Sequence, residues 1–426
     1  MLRKIEGSVN KALTKFPAIK KIIKRAYQVL MYIISPKIKS EGEIIRITPK
    51  DDYEYFFGYY DKSPWDASDR YMLCLRVKDT TKSVAPKEPA DIILIDTHNN
   101  NSYEVISKTN TWNVQQGCML QWLGPDYSER IIFNDFRDEK YCSVILNVKT
   151  REERVLDMPV YSVSNDGKFA LTLDFSRLHR LRKGYGYSNI PETTADEKLP
   201  DTPCIWLIDF ESNETKSVLK YTDFANFETR PEMDGAEYKV NHIMLNPSGK
   251  RFMVLHRWFN GTQKFTRLVT ANIEGDELFN LSDDNMTSHC YWKSDTEILA
   301  YARKKETGNG YYLMEDKTNE YTQVWPELIS DGHPSYSPDG SMVVTDTYPN
   351  RSRVASVYII KQDKIRMIAR VFAPFKYDND LRCDLHPRWN RTGDEICFDS
   401  VFEGKRALYV IPLKRNKYTE GLYREN

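Results

Sequence analysis

Short apolar runs separated by turn residues recur along the chain from residue 43 to residue 412. The clearest case is 330–346, which reads Ser-Asp-Gly-His-Pro-Ser-Tyr-Ser-Pro-Asp-Gly-Ser-Met-Val-Val-Thr-Asp. This pattern predicts a strand over 334–337, a tight turn closed by Gly340, and a second strand over 341–345. The same phrase returns at 242–249 and 386–393, and in weaker form at 289–296. A strand–turn–strand unit is therefore the repeating element.

Seven such units follow one another, at spacings of roughly 40–60 residues apart from one longer gap. They begin near Asp61, Met119, Val160, His242, His289, His333 and His386. Units of this length built from four short strands are typical of a β-propeller, and the lack of alternating helices excludes a βαβ fold. We therefore predict an all-β, seven-bladed β-propeller over residues 42–414. The strand 43–48 is expected to join the last blade and close the ring.

The first 41 residues have a different pattern, with apolar residues three and four apart and lysines on the opposite face. This spacing predicts a basic amphipathic helical arm over 1–41, which Pro17 divides into two helices. Residues 1–39 carry ten Lys/Arg and one Glu, a net charge of +9. Such an arm suits an anionic membrane surface, and the alternative is packing on its own domain or on a partner chain. Residues 415–426 read as a polar tail.

The charge and the cysteine content of the chain limit its expected partners and its expected cellular compartment. The chain has no net charge, so the part beyond the arm carries about −9, which argues against nucleic acid as a partner. Seven cysteines without a Cys-x-x-Cys pair predict thiols in a reducing compartment. The start lacks the features of a signal peptide. We expect a cytoplasmic protein, peripheral at the inner membrane face if the arm contacts lipid.

Four of the seven histidines share one structural register, each lying just ahead of an innermost strand. In a propeller that position faces the axial funnel, so the four should surround one pocket. They are His242, His289, His333 and His386. Imidazoles there could bind a metal or act as general acid and base, because they titrate near neutrality. The alternative is that each histidine ties its blade to the next.

Other polar side chains are predicted at the same mouth. Three arginines just past strand ends would suit a carboxylate- or phosphate-bearing ligand: Arg177, Arg257 and Arg351. The remaining candidates are Tyr60, Gln116, Asp346 and Tyr348. Arg180 and Arg182, beside Lys183, are expected to be solvated.

The phrases at 333–340 and 387–393 resemble the repeats of TolB-type propellers. Two more, Val-Asn-His-Ile-Met-Leu-Asn-Pro-Ser at 240–248 and Thr-Ser-His-Cys-Tyr-Trp at 287–292, resemble segments of oligogalacturonate lyases. That family has a seven-bladed propeller, binds manganese through histidines and a glutamine, and cleaves uronate-containing oligosaccharides by β-elimination. Where the family has the glutamine and two closely spaced histidines, this sequence has Leu328, Asp331 and His333.

The resemblance implies a function and a set of roles. His242 would match the catalytic histidine, Arg177 the arginine that neutralises the substrate carboxylate, and His289 and His333 ligands of a divalent metal, manganese in the family. His386 shares their register and is predicted as a third metal ligand. From their predicted position at the funnel, Tyr348 is a further catalytic candidate, and the substrate-binding candidates are Arg257, Arg351, Tyr60, Gln116 and Asp346. The predicted function is therefore a lyase acting on an acidic glycan. Two alternatives stay open: a non-catalytic glycan-binding propeller in surface-polysaccharide assembly at the membrane, and a protein-binding scaffold.

Overall fold

A computed structural model describes residues 17–36 and 38–413 of the chain. The first sixteen residues, and with them the predicted division of the arm at Pro17, lie outside the described residues, as does the predicted polar tail 415–426. Three α-helices are present in the described part: α1 Pro17–Ile34, α2 Phe175–Leu181 and α3 Tyr221–Asn226. Within these ranges, no helix has both the length and the apolar character needed to cross a bilayer.

Strands make up most of the described chain. The first fourteen are β1 Ser40–Glu41, β2 Ile45–Arg46, β3 Glu54–Phe56, β4 Tyr71–Val77, β5 Ala90–Asp96, β6 Ser102–Thr109, β7 Gln121–Trp122, β8 Arg130–Arg137, β9 Lys140–Asn147, β10 Glu153–Leu156, β11 Ser162–Val163, β12 Phe169–Leu173, β13 Pro203–Asp209 and β14 Thr215–Lys220. The others are β15 Glu237–Leu245, β16 Arg251–Asn260, β17 Gln263–Asn272, β18 Phe279–Ser282, β19 Thr287–Trp292, β20 Glu297–Lys304, β21 Gly308–Glu315, β22 Tyr321–Val324, β23 Ser335–Tyr336, β24 Met342–Asp346, β25 Val354–Lys361, β26 Lys364–Phe372, β27 Arg388–Trp389, β28 Glu395–Ser400 and β29 Ala407–Pro412.

These strands form seven antiparallel sheets, which are the seven blades. Blades 1 to 5 take four consecutive strands each, from β3–β6 to β19–β22. Blade 6 is β23–β26 with β1 added at its outer edge, and blade 7 is β27–β29 with β2 at its outer edge. The prediction of a seven-bladed propeller is confirmed. Because β2 pairs with β29, through Ile45 and Val410, the last blade combines both ends of the ring.

The turn after the innermost strand explains why the repeat is visible in the sequence. In blade 6, Gly340 has φ +72°, a left-handed conformation that a side chain would strain. Ser337 donates its hydroxyl to Asp339 at 2.6 Å, which fixes the turn. Gly249 and Gly393 hold the same place in blades 4 and 7, with φ of +73° and +74°. Local turn chemistry thus sets the period of the fold.

The core lies between neighbouring blades, where the middle strands are buried on both faces. Residues 92–95 of β5 and 396–398 of β28 are continuous apolar runs with almost no exposed surface, as expected for strands packed on both sides. All seven cysteines are buried free thiols.

Candidate functional site

Irregularities in the innermost strands direct the predicted histidines toward the axis. In blade 4 the pairing register shifts between Asn241 and Met244, so His242 lies in a bulge, with φ +60°. Blade 5 has the same kind of shift between Thr287 and Cys290, at His289. His386 also has a positive φ, +45°. Bulges and left-handed non-glycine residues change the direction of a side chain, and they concentrate at functional sites.

The four histidines converge. Ring centroids lie 6.4 Å apart for His242 and His289, 4.0 Å for His289 and His333, and 4.3 Å for His333 and His386. Each of the four is at most 5% exposed. The four predicted residues therefore form one buried cluster on the axis, rather than four separate contacts between blades.

Tyr59 and Tyr60 fill the centre of this cluster. They come from a segment between β3 and an isolated bridge at Trp65, where the inner edge of blade 1 leaves the sheet. The Tyr60 ring lies 5.2 to 6.3 Å from the rings of all four histidines. The Tyr59 ring contacts His242 and His386, at 5.5 and 5.1 Å. A metal bound by all four imidazoles would need the place that Tyr60 occupies.

The hydrogen bonds of His242 determine its tautomer. Its Nε2 lies 3.0 Å from the Tyr60 hydroxyl and 3.1 Å from the carbonyl oxygen of Cys290. Because the Tyr60 hydroxyl donates its own hydrogen to that carbonyl oxygen at 2.8 Å, Nε2 faces two acceptors and carries the hydrogen. Nδ1 is then the acceptor, and it lies 3.1 Å from the Tyr59 hydroxyl. Burial, with the charge of His289 as a smaller cause, lowers the pKa of His242 well below its usual value. His242 is therefore a neutral imidazole whose Nδ1 lone pair accepts a hydrogen bond from the Tyr59 phenol.

His333 and His386 each offer an unpartnered nitrogen. Nδ1 of His333 lies 2.8 Å from an oxygen of Asp346, which orients the ring. Nε2 of both rings is buried and has no hydrogen-bond partner in the part of the chain that the structure describes. Donor atoms of His333, His386 and Asp384 all lie within 4.8 Å of one another. Two imidazole nitrogens and a carboxylate, with one ring held by a second carboxylate, fit a divalent transition metal.

His289 differs from the other predicted metal ligands. Its Nδ1 lies 3.1 Å from Asp331, and its Nε2 lies 3.4 Å from the hydroxyl of Tyr348. Burial, and then the charge of His333, lower its pKa, although Asp331 opposes the shift. Of the predicted metal set, the structure therefore brings His333 and His386 together with Asp384, and gives His289 other partners.

A basic cavity of about 520 Å³ opens beside this cluster. Its wall contains many cationic side chains: Arg180, Arg182, Lys183, Lys239, Arg257, Lys264 and Arg382. Tyr185, also in the wall, lies 6.4 Å from Tyr59 between ring centroids. We call this cavity the basic pocket.

Arg257 is the least satisfied of these cations. It is 5% exposed, and its Nε and Nη1 are buried without a hydrogen-bond partner. Burial and then the charge of Arg182 lower its pKa to about 10. Burial and then Arg257 lower the pKa of Lys264 to about 8, and that of Lys239 falls well below its usual value for the same two reasons. The positive charges destabilise one another, so an anion in the pocket would be bound strongly.

The other predicted site residues lie at separate positions in the structure. Tyr348 lies under the guanidinium of Arg382, 4.2 Å from the ring centroid. Gln116 donates to Tyr161 at 2.8 Å, while Arg351 is exposed. Arg177 has no exposed surface: it donates to the backbone oxygens of residues 238 and 198 and pairs with Glu192. It fixes the long connection between α2 and β13, to which Glu192 and Lys198 belong, and is not part of the pocket wall.

Sequence reasoning missed several residues of the site. Arg182, expected to be solvated, is half-buried over the Tyr185 ring in the pocket wall. Lys239, Lys264, Arg382 and Asp384 were not predicted. Lys239 could have been predicted from the sequence, because it lies three residues before His242 on the same strand. The others come from strand ends and loops whose position depends on ring closure.

Comparisons with known proteins agree with the fold. No protein-family model matches the sequence, and no curated protein matches it. Among solved structures, oligogalacturonate lyase from Vibrio parahaemolyticus is 14% identical with a TM-score of 0.60, covering 87% of this chain and 94% of that one. An oligogalacturonate lyase in complex with manganese is 15% identical with a TM-score of 0.61, covering 89% and 96%. TolB from Acinetobacter baumannii is 14% identical over 71% and 63%, with a TM-score of 0.40. At such identities, the similarity to the two lyase structures establishes the architecture alone: a seven-bladed β-propeller.

Proposed function

We propose that this protein is a lyase that cleaves a uronate-containing oligosaccharide by β-elimination at the basic pocket. One observation carries the proposal: a neutral, buried His242 accepts a hydrogen bond from Tyr59, next to a pocket with unpartnered Arg257 nitrogens. A proton acceptor beside an anion site is what removal of a proton next to a carboxylate requires. No carboxylate pair is placed for hydrolysis among the described residues of the basic pocket wall, where Asp380 is the one acidic group.

Binding would begin with the substrate carboxylate. Arg257 offers two buried, unpartnered nitrogens, and Lys264 and Lys239 lie in the same wall. A carboxylate here would replace repulsion between cations by charge-assisted hydrogen bonds. The same groups would stabilise the enediolate that forms when C5 loses its proton, because more charge then develops on the carboxylate oxygens.

Proton removal would run through Tyr59 to His242. Tyr59 contacts both His242 and Tyr185 of the pocket wall, whereas His242 is 2% exposed and surrounded by protein groups. As the Tyr59 oxygen takes the C5 proton, its own hydrogen moves to Nδ1 of His242. Electrons from the C5–H bond form the C4–C5 double bond, and the C4–O bond breaks. The electron pair of the C4–O bond leaves on the glycosidic oxygen, which takes a proton from solvent water.

The proposal includes one binding site for a divalent cation. His333, His386 and Asp384 would hold it, and when bound it would supply positive charge next to the pocket. Arg382 already pairs with Asp384 through a 2.9 Å hydrogen bond and lines the pocket. This chain's own groups therefore keep the Asp384 carboxylate ionised, and Arg382 and His333 lower its pKa against the effect of burial.

A non-catalytic glycan-binding propeller is the second candidate. One observation favours it: both nitrogens of His242 already have protein partners. Such a protein would bind the acidic sugar through the same cations and release it unchanged. The cytoplasmic location and a role in surface-polysaccharide assembly stay predictions, as does membrane contact through residues 1–39.

The test is to incubate the purified full chain with a panel of uronate-containing oligosaccharides, with manganese and with chelator. A lyase produces an unsaturated product, seen as rising ultraviolet absorbance. Metal content is measured in parallel, and H386Q should bind less manganese than wild type, whereas H98Q, which changes an exposed histidine, should not. Binding of a uronate oligosaccharide without any product would favour the second candidate. No binding across the panel would overturn both.

A further inference from the structure

Helix α1 contacts the propeller through its polar and aromatic side. Arg25 donates to Asp378 at 3.1 Å, and its guanidinium lies 4.5 Å above the ring of Phe375. Tyr32 stacks on Phe372, with ring centroids 5.2 Å apart. On a helix, positions 25 and 32 share one face because they are seven residues apart.

Within residues 17–36 and 38–413, no side chain covers the apolar side of α1. Its large apolar residues recur at spacings of three and four, and each is 40–69% exposed: Ile19, Ile22, Ile23, Val29, Leu30, Ile33 and Ile34. An amphipathic helix normally buries this face against its own core. Here the contact with blade 6 uses the other side, so a contiguous apolar stripe faces outward. A surface of this kind marks an interaction site.

We propose that this stripe docks on an anionic phospholipid surface. The first 39 residues carry a net charge of +9, while the rest of the chain carries about −9. Cations beside an exposed apolar stripe match a surface that has negative headgroups above an apolar layer. A second copy of the chain is a poorer partner, because it would place two +9 segments side by side. This inference rests on the stripe and its charge and does not depend on the proposed function.

Docking through α1 would affect the position of the basic pocket, because α1 contacts a loop that continues into the pocket wall. Phe375 and Asp378, which α1 contacts, belong to the loop between β26 and β27. The same loop continues to Asp380 and Arg382, which line the basic pocket. A lipid-docked helix therefore holds one edge of the pocket close to the membrane. An acidic glycan carried on or near that surface could reach the pocket without the protein leaving it.

The test is co-sedimentation of the full chain with two kinds of vesicle, phosphatidylcholine alone and phosphatidylcholine mixed with phosphatidylglycerol. Wild type should bind the mixed vesicles at low salt and bind less as salt rises. The variant I22E/I33E should lower the partition coefficient at least about tenfold. The matched control V105E/V155E adds the same two charges at residues 41% and 43% exposed on outer strands, and should bind like wild type.

Three results would overturn the proposal. Wild type could fail to bind mixed vesicles at low salt, or I22E/I33E could bind them as well as the control does. The third is a stable dimer in sedimentation velocity that I22E/I33E dissociates, which would make a second copy the occupant. Thermal unfolding of both variants shows whether the propeller is intact, and glycan binding by I22E/I33E in solution separates this proposal from the proposed function.

Discussion

Two cavities of similar size lie at the two ends of the innermost strands, and they differ in charge balance. The basic pocket, about 520 Å³, lies on the side from which the histidines approach. The second, about 550 Å³, is lined by the turns that follow those strands, such as 338–340. In the second cavity Lys62 pairs with Asp61 at 2.7 Å and Arg388 with Asp399 at 2.7 Å. We call it the paired cavity.

In the basic pocket the charges are only partly matched. Arg180 and Arg382 have carboxylate partners, whereas two buried nitrogens of Arg257 have no hydrogen-bond partner among the described residues. The cations around Arg257 also lower one another's pKa. Leaving a buried charge unpaired costs several kcal/mol, and proteins rarely carry that cost without a ligand to offset it. The volumes of the two cavities therefore do not show which one binds a ligand, whereas unpaired positive charge in the basic pocket does. Three substitutions and one change of pH test that difference, in decreasing order of the change in kcat or affinity.

The largest effect is expected from His242→Gln. Glutamine cannot accept the proton that Tyr59 passes on, so kcat for product formation should fall by about 10²–10⁴-fold. The measurement is the initial rate of unsaturated product at saturating oligosaccharide. His98→Gln, at an exposed position, is the matched control. A His242→Gln enzyme that keeps wild-type kcat would exclude His242 as the proton acceptor.

A smaller effect is expected from Arg257→Met. Losing a charge-assisted hydrogen bond worth about 1.5–3 kcal/mol should raise KM or Kd by about ten- to a hundredfold. Because Arg257 is one of the charges that lower the pKa of Lys264, that pKa should rise in the variant. The change in KM is measured by steady-state kinetics, and the change in the pKa of Lys264 is measured by the pH dependence of binding. Unchanged affinity would mean that Arg257 does not face the ligand.

The sequence predicted the parts of this molecule that local chemistry determines. The repeat and the histidine register could be predicted because, in blades 4, 6 and 7, a glycine with positive φ ends the turn seven residues after the histidine: Gly249, Gly340 and Gly393. The pocket wall was mostly missed, since Lys264 and Arg382 belong to different blades or loops and meet through ring closure. Arg177 shows the converse. Its position after a strand predicted a side chain in the funnel, but the connection between α2 and β13 folds over it.

Affinity for an acidic oligosaccharide should depend on pH. The pKa of Lys264 is about 8 in the folded protein, lowered by burial and then by Arg257 and Arg182, with Asp331 opposing. A bound anion favours the charged amine, so binding takes up a proton around pH 8 and weakens as pH rises above it. We expect Kd to increase by up to about tenfold between pH 7.5 and 9. Lys264→Met should remove most of this dependence, and an unaltered profile would contradict the assignment.

The smallest effect is expected in the paired cavity. Arg391 lines it, donates to the backbone of Trp65 at 3.1 Å and lies over the ring of Tyr127. Arg391→Met should change kcat and KM less than about twofold, with a modest loss of stability. Steady-state kinetics and a thermal unfolding curve check both. A large rise in KM would move the ligand to this cavity.

Calorimetric titration of the protein with a triuronate at neutral pH, comparing wild type, Arg257→Met and Arg391→Met, tests most directly whether unmatched cations form the ligand site. If unmatched cations make the site, wild type and Arg391→Met should bind with equal affinity and Arg257→Met at least about tenfold more weakly. Equal binding by wild type and Arg257→Met, with loss in Arg391→Met, would contradict it.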